Sequence, residues 1–75
     1  MAAIKDNAFA YFRGKHGMSQ KELAEELDVA QGCIGNYECG IRIPSLKIAW
    51  RLVKLARKKG DKINLEDVLP DPEPD

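Results

Sequence analysis

Cysteine is almost missing from this chain. Two thiols, Cys33 and Cys39, are too few for a disulfide scaffold. Six residues apart on one predicted helix, they point to different faces and cannot pair within it. Histidine is rarer still. His16 stands alone, so two Cys and one His do not complete a four-ligand zinc set. No Cys-x2-Cys spacing occurs either, and neither a metal nor a cofactor is expected. There is no Gly-x-Ser-x-Gly elbow and no phosphate loop. A chain of 75 residues has little room for a deep pocket, which points away from an enzyme and from a small-molecule ligand. No apolar run approaches the roughly 20 residues that cross a bilayer. The start MAAIKDNAFAYF has no basic region followed by an apolar one, so no secretory signal and no membrane partner is expected. The expected location is the cytoplasm, with free thiols.

Hydrophobic residues make up 44% of the chain, enough for one small core. The formal net charge is zero, which by itself argues against nucleic-acid binding. The distribution matters more. Residues 21–41 set Lys21 against five acids, while residues 42–62 set eight Lys or Arg against Asp61. Residues 63–75 carry five acids and no base. A basic zone can attract phosphates whatever the total, because the local field at a docking surface decides. The same Lys47, Arg51, Lys54 and Lys58 also suit a plain solvated helix face.

The periodicity predicts about five short helices and no strand, an all-α bundle over residues 1–69. An acidic, Pro-rich tail follows at 70–75 and is expected to be disordered. The first helix is predicted from near Ala3 to Lys15, with Phe9 and Phe12 inward. Ser19-Gln20-Lys21-Glu22 reads as a capping box that opens a second helix with Leu23, Ala24 and Leu27 on its apolar face. A turn at Asp28, a residue type that tolerates the left-handed conformation, separates it from a third helix over Gln31–Cys39 closed by Gly40. Pro44-Ser45 starts a fourth helix with an apolar stripe of Leu46, Ala49, Trp50, Leu52, Val53 and Ala56. Asn64 caps a final helix, Leu65 to Leu69.

Two short helices across a tight turn, with small Ala24 where they approach, have the spacing of a helix-turn-helix. Here the sequence resembles the Cro/repressor (XRE-like) helix-turn-helix family, from about Phe9 to Ala56 and more loosely to Leu69. The resemblance rests on Ser19-Gln20-x-x-Leu23-Ala24, on Ile34 in the middle of the third helix, on Glu38-Cys39-Gly40 and on Pro44-Ser45-Leu46. It implies a lambda repressor-like fold whose third helix enters the major groove. It gives Gln20 a phosphate contact and a bracing role towards the recognition helix. Gln31 becomes the leading base reader, with Gly32 and Asn36 at other groove-facing positions. Ala30 can touch a thymine methyl, and Arg42 can bind a phosphate. Arg13 and Glu38 match a structural ion pair. The chain departs from the pattern at Asp28, where Gly is usual, and at Cys39, where a phosphate-binding Asn is usual.

The resemblance implies a sequence-specific repressor or Cro-like regulator that binds a pseudo-palindromic double-stranded DNA operator as a homodimer. Ile63, Val68, Leu69 and Trp50 are candidates for the dimer surface. The alternative is a protein-interaction module on the same fold, such as an antitoxin subunit or coactivator, for which the acidic residues would suit a protein partner.

Overall fold

The structure is a computed structural model that describes residues 7–69. Its first, second and fourth helices begin where short polar side chains accept from free backbone N–H groups. Asn7, in an extended conformation, accepts from the Phe9 N–H at 2.8 Å and opens α1, Ala8–Lys15. The expected start near Ala3 is therefore corrected at Asn7. An extended residue cannot continue a helix, and the positions before it lie outside the described residues. Ser19 opens α2, Gln20–Leu27, with a reciprocal capping box. The Ser19 hydroxyl accepts from the Glu22 N–H at 3.0 Å, and the Glu22 carboxylate accepts from the Ser19 N–H at 2.9 Å. Then come α3, Gln31–Cys39, and α4, Leu46–Lys58, the latter capped by the Ser45 hydroxyl. A single turn, α5, spans Leu65–Val68, one residue short of the expected end, because Leu69 returns to an extended conformation. Among the described residues there is no strand.

One core joins all of this. Phe9 and Phe12 of α1, Leu23, Ala24 and Leu27 of α2, Ile34 and Tyr37 of α3, and Leu52 and Ala56 of α4 are buried together, and Ile63 joins them from the last loop. Each large apolar side chain so buried contributes about 1.5–3 kcal/mol. A domain this small has little else to draw on. Two members of the expected α4 stripe do not take part: Leu46 is 56% exposed and Trp50 39%. They lie on the edge of the helix where the apolar stripe meets the basic face. Ile63, conversely, is only 2% exposed, so it is core and has nothing to offer a dimer surface.

Sequence reasoning missed a second tie. Asp61, which stands out in the sequence only as the one acid of the basic stretch 42–62, is buried. Its carboxylate accepts from Lys15 Nζ at 3.1 Å and from the Lys62 N–H at 3.0 Å, and meets His16 Nε2 at 3.1 Å. This pins the α4–α5 loop to the end of α1. Burial alone would push the Asp61 carboxyl up, but the bonds from Lys15, His16 and Lys62 outweigh it and hold it below the ordinary range.

Candidate nucleic-acid interface

Three residues, Asp28, Val29 and Ala30, separate α2 from α3. Asp28 takes the left-handed conformation, φ 59°, ψ 48°, and the Val29 N–H closes the end of α2 on the Ala24 carbonyl at 3.0 Å. The chain turns there and delivers α3 across α2. Ala24, 2% exposed, is small enough for the two helices to approach.

The inner side of α3 is held firmly. Ile34 is fully buried, and the Tyr37 ring lies against Phe9 at 5.0 Å between centroids. Asn7 Nδ2 donates to the Tyr37 carbonyl at 2.7 Å. Arg13 and Glu38 meet in a two-pronged pair, Nε to Oε2 at 2.7 Å and Nη2 to Oε1 at 3.1 Å, while Arg13 Nη1 donates to the Met18 carbonyl at 3.2 Å. The fork geometry fixes the orientation of the carboxylate as well as its charge. Gln20 Nε2 donates to Glu38 Oε1 at 3.2 Å. Gln20 thus braces α3 through Glu38, at its far end, and not through Gln31. The Arg13 bonds hold the Glu38 carboxyl below the usual carboxylate range against the opposing effect of burial, and Gln20 adds to them.

The outer side of α3 is open. Ala30, Gln31, Gly32 and Cys39 are exposed, and Gly35 and Asn36 are half-buried. Glu38 is the helix's one charged side chain, and Arg13 neutralises it. The open face therefore carries no free carboxylate to repel a phosphate. At the start of α3, Ala30 has no side-chain acceptor, and no acid stands in the first turn. The leading N–H groups thus face outward without the cap that Ser19 supplies to α2, and the positive end of the helix is available to an anion. Asn36 lies five residues on, roughly 7.5 Å along the axis. Its carbonyl accepts from the Ile41 and Arg42 N–H groups at 3.0 and 3.2 Å, which sets the backbone just past the helix and leaves the Arg42 side chain exposed. The DNA-facing residues named from the sequence therefore gather on and beside α3, apart from Gln20, which is half-buried behind it. Among the described residues, no three His, Cys, Asp or Glu side chains cluster to hold a metal ion, and no helix is long and apolar enough to cross a membrane.

Comparison with known proteins agrees with this geometry. The helix-turn-helix family matches residues 9–63, which run from the first buried phenylalanine to the buried isoleucine that closes the core. An uncharacterised HTH-type transcriptional regulator of Methanocaldococcus jannaschii is 38% identical over 48 residues, covering 64% of this chain and 73% of that protein. No solved structure matches significantly. Turn, buried seam and open helix face all lie within the matched span, and the chain belongs to the XRE-like helix-turn-helix family of DNA-binding transcription regulators.

Proposed function

We propose that the chain is a sequence-specific repressor or Cro-like regulator. It binds a pseudo-palindromic operator as a homodimer, and α3 lies in the major groove N-terminus first. The observation that supports this best is the contrast between the two sides of α3. Ile34, Tyr37 and Glu38 anchor one side, while the other presents Ala30, Gln31 and Gly32 to solvent from an uncapped, positively polarised end. A helix fits the major groove, where each base pair has its own donor and acceptor pattern. On this reading Gln31 reads a base and Asn36 a neighbour nearer the operator centre. Ala30 touches a thymine methyl, Gly32 allows close approach, and Gln20 and Arg42 hold phosphates. The chain is a binding protein with no catalytic role, acting in the cytoplasm through a domain over residues 1–69, and the acidic tail at 70–75 lies outside the described residues.

The test is selection of bound sequences from random DNA by the unaltered chain and by Gln31→Ala. An amide that donates and accepts can pair with N6 and N7 of adenine, so Gln31→Ala costs about 1–3 kcal/mol on the preferred operator and relaxes one base pair per half-site. An even loss over all sequences, with the selected base frequencies unchanged, would reduce Gln31 to a phosphate contact. Absence of any selected sequence from the unaltered chain would favour the protein-interaction alternative.

A further inference from the structure

Helix α4 carries five bases, Lys47, Arg51, Lys54, Arg57 and Lys58, and no acid. None of them is in an ion pair among the described residues. Lys47, Trp50, Arg51 and Lys54 line an open groove of about 420 Å³. Trp50, one of the lining residues, is 39% exposed, and the Arg57 guanidinium lies 5.9 Å from its ring centroid. Arg51 is held in place, because its Nη1 donates to the Leu27 carbonyl at 2.8 Å. Glu26 and Asp28 border the far side of Arg51 and Lys54 without pairing with either. Nothing in the core or in the face of α3 uses this groove.

We propose that the Lys47–Trp50–Lys54 groove of α4 is a docking site for an acidic, proline-spaced peptide, and that its occupant is residues 70–75 of the same chain. That segment reads Pro70-Asp71-Pro72-Glu73-Pro74-Asp75. Proline at alternate positions favours an extended left-handed helix of about 3.1 Å per residue, which places successive acids about 6 Å apart. Lys47, Arg51, Lys54 and Lys58 follow one another along α4 at about 6, 4.5 and 6 Å. Charges of opposite sign thus fall in step, and the proline rings suit an exposed indole, as in other aromatic-lined grooves for proline-rich segments. The point of departure is also right. Leu69 lines a groove shared with Ile43 and Pro44, and Pro44 is three residues before Lys47, within about 11 Å of it at 3.8 Å per residue. Six further residues at about 3.1 Å each reach roughly 19 Å, against at most about 11 Å from Pro44 to Lys47 and about 10 Å of helix axis on to Lys54, a difference that the long Lys54 side chain closes. A second copy of α4 would bring five like charges face to face, which costs several kcal/mol in an interface. A DNA duplex would satisfy the cations, but its stacked bases offer the Trp50 ring no partner.

Trp50 is the chain's one tryptophan, so its fluorescence reports on the groove without a label. The experiment is acrylamide quenching of the dilute full chain, free of DNA, beside the variant Asp71→Asn/Glu73→Gln/Asp75→Asn. A tether places the segment at millimolar effective concentration, so neutralising it raises quenching about twofold and shifts the emission to the red. Lys54→Glu loses the protection likewise, and Lys54→Glu combined with Glu73→Lys regains it. Equal quenching in the unaltered and neutralised chains overturns the proposal. Protection that grows with protein concentration assigns the groove to a neighbouring copy's segment, and protection that needs added duplex assigns it to phosphates; either result also overturns it. Since no operator is involved, the outcome is independent of how α3 reads DNA.

Discussion

At Gly32 and Gly35, local propensity and the open face of α3 pull in opposite directions. Each glycine costs a helix about 1 kcal/mol against alanine. The fold itself does not ask for them. A Cβ at Gly32 would meet nothing within 4 Å, and one at Gly35 would make only ordinary contact with the Gln20 amide at 3.8 Å. Gly32→Ala and Gly35→Ala are therefore each expected to stabilise the free protein by about 1 kcal/mol, a rise of about 4–8 °C in Tm for a domain of this size. If α3 approaches a DNA backbone closely, Gly32→Ala stabilises the protein and weakens operator binding together. Thermal melting and a titration with operator DNA separate the two effects. A variant that is more stable and binds as well as before would show that the glycine serves no close approach. Sequence could identify these positions as anomalous, but only the space around them says that the protein is not the cause. Asp61 lay beyond sequence reasoning altogether, because Lys15 and His16 are more than forty residues away and no local pattern links them.

Helix boundaries followed their caps. Ser19, Ser45 and the Gly40 terminus each act through neighbours in sequence, so α2, α3 and the start of α4 were readable from the chain. The start of α1 was not: a helix was expected from near Ala3, while Asn7 is extended and caps a helix that begins at Ala8. Trp50 was misplaced for a similar reason: an apolar stripe on a helix has edges, and periodicity does not say which edge the core covers. The turn before α3 was legible as a turn, and its cost can be measured. Asp28 sits at φ 59°, a conformation that glycine adopts freely. Its carboxylate also stands at the C-terminal, negative end of α2, where an acid is unfavourable. No side-chain hydrogen bond of Asp28 offsets either effect among the described residues. Asp28→Gly is expected to stabilise the domain by about 1 kcal/mol, and Asp28→Ala to destabilise it by about as much, because alanine keeps the steric penalty and lacks even the tolerance of Asp for this region. Denaturant unfolding of the pair decides it. If both variants lose stability, the Asp28 side chain supports the turn in some way other than conformation.

At the scale of the whole molecule, two charged ties hold peripheral segments to the body. Arg13–Glu38 binds the end of α3 to α1, and Lys15–Asp61 with His16 binds the last loop to the same helix. Both carboxyls are held below their ordinary values, 4.5 for Glu38 and 3.8 for Asp61. The folded protein therefore holds these protons less tightly than the unfolded chain. Their contribution is complete above the ordinary carboxylate range, and it drains away as the pH falls through the lower, folded-state values. The Glu38 carboxylate is mostly enclosed, with its side chain 10% exposed beside an Arg13 side chain 30% exposed, so its loss should exceed that of a surface pair without reaching that of a fully buried one. Glu38→Gln is expected to cost about 1–3 kcal/mol at neutral pH. Melting temperatures of the unaltered chain and of Glu38→Gln should then approach each other as the pH drops below about 4, since a protonated glutamic acid and a glutamine offer Arg13 nearly the same neutral partner. Asp61 continues to titrate in both proteins, so both still lose stability in acid and only the gap between them closes. Two curves that stay parallel down to the lowest pH would mean that the charge on Glu38 adds nothing beyond its hydrogen bonds.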